Sequence, residues 1–364
     1  MGKGWPRQRW WRLLDPAAAD AEVERTFDHL LDVANGVDGP TVTIRSDRPD
    51  IATLLDRHRI TTLVPLGSVP PAQRESLLDR QRRIGASQLR IRHAAIDTLE
   101  LLNAAGIDTR VLKGVATCEL DHSTPHTRQA GDVDLAVAPD DLRRATELLA
   151  AQGCVDLPAP FDPVLWYGRA VVRPDGVEID LHTRLFRRSP LDRSLLDEPG
   201  EPLQRVPGTA MCAARRLVHA AGHFLISPPG TRRMNGFLDI GRIVSRSDLD
   251  LGEAQQFASE LGVESLVGAG IRVEAELSRR GHVLEELHRW KQPDWLERQT
   301  RLVPHRRMML DHLGRYREVA PGHRLAYLPA WLLPSRRQQR LLAESVRASV
   351  TRITTRLSLT GSPR

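Results

Sequence analysis

An aspartate set inside an apolar, β-prone run constrains this chain more than any other feature. Val133-Asp134-Leu135-Ala136-Val137 reads as a strand, with Asp132 at its mouth. Strand alternation puts the side chains of Asp132 and Asp134 on one face. Taken alone, Asp-Val-Asp describes a solvated strand end, but a third acid changes that reading. In Val177-Glu178-Ile179-Asp180-Leu181-His182 the polar residues Glu178, Asp180 and His182 share a face opposite Ile179 and Leu181. With these two strands as neighbours, three acids converge. Carboxylates inside a sheet are expensive unless compensated, and a hard cation such as Mg²⁺, which keeps waters for substrate phosphates, compensates them.

The surrounding pattern supplies a sheet for these strands. Ile96, Leu99 and Leu102 recur at helical spacing in a helix from Gln88 to Asn103, which Gly106 stops. Ile107 to Leu112 is β-prone and ends at Lys113-Gly114, and Val115 to Leu120 follows as a helix. Backbone N–H groups at that strand-to-helix turn, with Lys113 beside them, can hold phosphate oxygens. After the strand at Asp134, the residues Pro139, Asp140 and Asp141 open a helix that Gly153 closes. Pro174-Asp175-Gly176 between apolar runs is turn chemistry and predicts a hairpin joining Ala170–Arg173 to Val177–Leu181. A phosphate cradle, paired aspartates and a distant third aspartate together describe metal-assisted phosphoryl or nucleotidyl transfer.

Helical pattern flanks this core on both sides. Residues 21–87 read as short helices broken at Gly39-Pro40 and Pro70-Pro71. Helical stretches follow at 210–226, 236–245, 252–262 and 264–281. The expected units are an N-terminal helical region (1–87), a catalytic core (88–200), a C-terminal helical domain (201–334) and a basic tail helix (335–364). Length matters here only because 364 residues leave room for these modules. Charge is uneven: the net +6 resides in Ser335–Arg364, with seven Arg and one Glu, and the rest balances at 45 cations and 45 anions. A balanced body argues against a long nucleic-acid track.

In the tail, Leu342, Val346, Val350, Ile353 and Leu357 form the apolar stripe of a basic amphipathic helix, read as docking on its own domain, with an acidic partner as the alternative. Leu325 to Leu333 is too short to span a bilayer, and no run elsewhere is long enough. Cys118, Cys154 and Cys212 form no CxxC pair, and Met1 to Asp15 lacks the form of a secretory signal. A reducing cytoplasm is therefore the expected compartment. His219 and His223, four apart on a helix, lack the Glu of HExxH and read as packing or hydrogen-bonding groups near the cleft.

Val111-Leu112-Lys113-Gly114, Arg128, Gly131-Asp132-Val133-Asp134-Leu135-Ala136-Val137 and Glu178-Ile179-Asp180-Leu181-His182 together resemble an uncharacterised nucleotidyltransferase family of the DNA polymerase β superfamily. The resemblance is strongest over Leu101–Leu185. It extends weakly to the N-terminal helices, His219-Ala220-Ala221-Gly222-His223 and Leu238-Asp239-Ile240. It implies an α/β (α+β) fold, a small mixed sheet core flanked by helical regions. It further implies two Mg²⁺ (or Mn²⁺) ions on Asp132, Asp134 and Asp180, and transfer of a nucleoside monophosphate from an NTP such as ATP to an acceptor hydroxyl, with pyrophosphate leaving.

Asp180 would also help deprotonate the acceptor. Lys113, Gly114 and Arg128 would meet the triphosphate, and His182 would contact phosphate or orient Asp180. The chain departs from the superfamily in two ways: Val115 replaces the usual Ser or Gly after Gly114, and Asp132 comes 18 positions after that glycine. These departures favour, as the rival reading, a degenerate nucleotide-binding or interaction module. A metal-dependent phosphohydrolase would use similar ligands. The acceptor, whether peptide, protein, small metabolite or RNA end, is left open.

Overall fold

A computed structural model describes residues 21–35, 44, 49–122, 128–156, 168–186, 194–226 and 232–290. The N-terminal fifteen residues, Leu325–Leu333 and the basic tail lie outside them. The described part begins with helices α1 (Ala21–Ala34) and α2 (Pro49–Arg57), two 3₁₀ turns at Thr61–Leu63 and Leu66–Ser68, and the long helix α3 (Pro71–Ala104). Pro70 is the N-cap of α3 and Pro71 its first helical residue, where a missing N–H costs nothing. The expected helix at Gln88 is thus the second half of a helix that starts seventeen residues earlier and runs through residue 87.

The core then alternates: β1 (Thr109–Leu112), α4 (Lys113–Leu120), β2 (Val133–Val137), α5 (Leu142–Ala151), β3 (Val155–Asp156), β4 (Gly168–Val172) and β5 (Glu178–His182). A short helix α6 (Ser194–Asp197) and strands β6 (Glu201–Pro202) and β7 (Thr209–Ala210) complete a seven-stranded mixed sheet of order β3-β4-β5-β2-β1-β7-β6. β1 begins two residues later than its β-prone run, and β2 coincides with the apolar run around Asp134. The hairpin between β4 and β5 closes as its turn residues demand. Gly176 takes φ +84°, and the Asp175 carboxylate accepts from the Val177 N–H at 3.1 Å. Gly153, at φ +80°, closes the helix after β2.

Among the described residues five α-helices follow: α7 (Ala213–Ile226), α8 (Met234–Val244), α9 (Leu251–Glu260), α10 (Glu264–Leu277) and α11 (Gly281–Glu286). No described helix is long and apolar enough to cross a membrane, and Cys118, Cys154 and Cys212 are free thiols. Two apolar clusters hold the structure together. One joins α3, α4 and α5 to one sheet face through Val111, Val133, Leu135, Ile179 and Leu181. The other merges the N-terminal helices with α7–α11 and takes in Leu112 and Ala136 from the sheet. The two ends of the described chain therefore share a core over the sheet face that carries Asp134.

His58, just past α2, ties these helical regions together. Its Nδ1 accepts from the Met234 N–H at 3.1 Å, its carbonyl accepts from the Asn235 N–H at 3.3 Å, and Phe27 packs edge-on against the ring. Burial, helped by Arg57 and Arg233, pushes the imidazole down to about 3. The unfolded chain takes up this proton near pH 6.5 and the folded chain does not. Stability is therefore full above that pH and falls as the pH drops toward 3, by about 1.4 kcal/mol per pH unit for this group. His58→Asn, which keeps an acceptor but cannot take the proton, should lose stability less steeply in urea titrations between pH 7.5 and 5.5. An unchanged slope would show that His58 does not resist protonation.

Candidate active site

Asp134 sits in the middle of the sheet, with β5 on one side and β1 on the other. β2 and β5 run parallel with Asp134 level with Asp180 and Ala136 level with His182; β1 runs antiparallel with Leu112 opposite Asp134. The expected neighbouring of the two acid-bearing strands is therefore observed. One carboxylate oxygen each from Asp134 and Asp180 and a ring nitrogen of His182 lie within 4.8 Å of one another, a group able to hold a metal ion. Asp132, half-buried at the mouth of β2, lies outside this group.

Asp134 is only 2% exposed, and two donors meet its Oδ1: Lys113 Nζ at 2.8 Å and His182 Nε2 at 2.8 Å. Burial pushes this carboxyl up, but the Lys113 charge and the His182 hydrogen bond outweigh it and hold Asp134 well below the usual carboxylate range. Burial and the Lys113 charge together lower His182, so the ring is neutral and its Nε2–H donates to Asp134. His182 thus partners Asp134, within the same close group as Asp180. Lys113 opens α4 with φ +41°, a left-handed residue at a helix start. The glycine beside it serves space. A Cβ on Gly114 would lie 2.6 Å from Arg128 Nη1 and 2.9 Å from the Ala130 Cβ.

Arg128 is 8% exposed and forms a two-pronged pair with Asp239 of α8, Nε to Oδ1 at 3.2 Å and Nη2 to Oδ2 at 2.6 Å. Burial opposes both charges, and their mutual attraction wins, raising Arg128 and lowering Asp239. The residues after it are clamped as well. Gln88 of α3 bonds both the N–H and the carbonyl of Ala130, Asn235 donates to the Gln129 carbonyl, and the Gln129 side chain donates to Thr62. This segment leads straight into Asp132 and β2, so α3, α8 and the first 3₁₀ turn all fix where the acids begin.

His219 and His223 of α7 complete the surroundings. Their rings meet edge-on at 6.0 Å, and His219 meets Phe186 likewise. Burial first, then the charge of Lys113, lowers both, His223 to about 3. They are neutral packing groups beside the acid cluster, as their spacing without a glutamate implied. Gln88 and Asn235 had no signal in the sequence, because each reaches the site from a distant segment with no motif around it.

A mixed sheet with acids paired across parallel strands, sandwiched by helices, is the framework of a nucleotidyltransferase. Residues 46–278 match the uncharacterised nucleotidyltransferase family, and the chain belongs to it. No curated relative matches the chain. Among solved structures, that of the antibiotic-resistance factor ANT(2'')-Ia is 15% identical, over 56% of this chain and 97% of that one, with a TM-score of 0.34. An antigenic nucleotidyltransferase-like protein from Paracoccidioides brasiliensis is 14% identical, over 57% and 94%, with a TM-score of 0.36.

Removing one member of the Arg128–Asp239 pair leaves a buried charge uncompensated. Arg128→Met should therefore cost about 3–5 kcal/mol in urea unfolding. Arg128→Met/Asp239→Leu should recover a large part of the loss. Equal stability of the single and double variants would show that the pair is not coupled.

Proposed function

We propose that this chain moves a nucleoside monophosphate from an NTP to an acceptor hydroxyl, releasing pyrophosphate, with Mg²⁺ or Mn²⁺ as cofactor. The observation that carries this reading is the placement of Asp134 level with Asp180 on adjacent parallel strands, with His182 completing a three-ligand group. Two carboxylates and an imidazole suit a divalent cation. Their oxygen-rich set and half-buried position match the needs of a hard ion better than those of a soft one. Bound there, the ion would polarise phosphate oxygens and offset the charge developing on the leaving group.

The chain's own residues do the rest. Asp134, held ionised by Lys113, supplies a carboxylate ready for a cation at neutral pH. Asp132 stands at the mouth of the strand, where it would complete the ligand set. Asp180 would accept the proton from the acceptor hydroxyl as that oxygen bonds to the α-phosphorus. The bond from that phosphorus to the oxygen bridging it to the β-phosphate breaks, and pyrophosphate takes the electron pair. The first N–H groups of α4, with Lys113 beside them on Asp134, would meet the phosphates. Arg128, turned to Asp239, would act on the nucleotide by fixing Gly131-Asp132. The free thiols support a reducing, cytoplasmic setting. The acceptor would be a hydroxyl on a peptide, protein, small metabolite or RNA end.

A non-catalytic nucleotide-binding module is the second reading. The Lys113 ammonium favours it, because it already neutralises one of the carboxylates. Thermal unfolding with each of the four NTPs, with and without Mg²⁺ or Mn²⁺, tests nucleotide binding. Ligand at 100 times its dissociation constant should add about 2.7 kcal/mol, a few degrees of midpoint. Asp134→Ala and Asp180→Ala should abolish the metal-dependent part. Pyrophosphate among the products supports transfer, orthophosphate marks a hydrolase, and binding without product marks the second reading. No shift with any NTP would sink the proposal.

A further inference from the structure

Arg59 projects into this site from the N-terminal helical region, a part of the chain to which neither the motifs nor the proposed chemistry assigns a role. It follows α2 at φ +55°, the left-handed position at which helices commonly end on glycine. Its main chain is fixed on both sides. His58 is pinned to α8 through Met234 and Asn235, and the buried Ile60 donates its N–H to the Leu55 carbonyl at 3.0 Å. The side chain is thereby aimed at the mouth of β2. A Cβ on Gly131 would run into the Arg59 guanidinium, so the arginine lies directly against the backbone that precedes Asp132.

The electrostatics there are uneven. Lys113 is committed to Asp134 and Arg128 to Asp239. Arg59 feels Asp132 and Asp134, but its guanidinium makes no hydrogen bond or ion pair with any described residue. Burial, then the nearby Arg233 charge, pushes it down to about 10 despite those acids. An anion arriving here would meet a guanidinium that no described carboxylate pairs by contact. A guanidinium offers a planar fork that matches phosphate oxygens, and no ion pair with a described aspartate occupies that fork.

We infer that Arg59 binds the β- and γ-phosphates of the NTP, so that the N-terminal helical region completes the nucleotide site from outside the sheet. This rests on the nucleotide-transfer reading above for the identity of the ligand. Gly131 then has a defined purpose: it keeps the guanidinium flat against the chain that presents Asp132.

Isothermal titration of the full chain with Mn²⁺ and each of three probes tests the assignment: NTP, the matching monophosphate and inorganic tripolyphosphate. Arg59→Gly should weaken NTP and tripolyphosphate by about tenfold or more, as expected for loss of a charge-assisted phosphate contact, while monophosphate affinity stays within about twofold. Arg59→Lys should fall between. Because glycine suits the left-handed backbone, Arg59→Gly should keep its unfolding midpoint, which separates lost binding from lost fold. Unchanged NTP affinity in Arg59→Gly, or equal loss for all three probes, overturns the inference alone if Asp134→Ala still loses NTP. Tripolyphosphate binding that depends on Arg59, without NTP binding, would keep the phosphate site and refute the nucleotide reading. A native chain that binds neither refutes both.

Discussion

The buried carboxylate of Asp134 is the constraint around which the sheet is organised. A charge in a central strand costs several kcal/mol unless it is paired, and the partners must be built into the neighbouring strands. Lys113 comes from the end of β1 and His182 from the end of β5, so both bonds exist only because β1 and β5 flank β2. A slip of one residue in β2 would turn Asp134 into the apolar cluster of Val133, Leu135 and Ile179. Charge pairing and apolar burial thus select the same register. That register also brings Asp180 level with Asp134, so the arrangement that stabilises the sheet assembles the metal-capable group.

Sheet pairing alone does not place Asp132, which precedes β2. Its position is set by the segment from Arg128 to Gly131, and no strand holds that segment. Gln88, Thr62, Asn235 and Asp239 hold it instead. These come from α3, a 3₁₀ turn near the N-terminus and α8, elements more than 100 residues apart at the extremes. Their common apolar core makes the clamp stiff: α1, α2 and α7–α11 bury their side chains against one another. The helical regions are therefore part of the site's construction.

What could be read in the sequence was what local periodicity encodes. Alternation in β2 and β5, the turn at Pro174-Asp175-Gly176 and the stop at Gly153 follow from patterns within ten residues, whereas the convergence of the acids needed the pairing of β2 with β5. The continuous run of α3 through residue 87 was missed because its first half is polar and offers no stripe. Gly114 looked like a turn glycine. Its neighbour Lys113 takes the left-handed conformation instead, and Gly114 is needed because Arg128 and Ala130 approach it. The 2.8 Å bond from His182 to Asp134 crosses between strands, which alternation within one strand does not show. Arg59 could not be read at all, since a basic residue at a helix end is ordinary and its target lies more than 70 residues away.

The described non-glycine residues with left-handed backbone are Arg59, Lys113 and Arg279. Arg279 ends α10, where such a turn is routine. The other two carry cations to the same acids, Lys113 in contact and Arg59 at a distance. Left-handed backbone costs a non-glycine residue about 1–2 kcal/mol, which a glycine would save. An uncompensated buried carboxylate at Asp134 would cost about 3–5 kcal/mol, so at position 113 the lysine outweighs the strain on stability grounds alone. Arg59, like Arg279, turns the chain just past a helix end, where the Ile60 N–H reaches the Leu55 carbonyl, but its guanidinium neutralises no described acid by contact. The contrast between the two cations therefore separates the one that builds the site from the one that serves it.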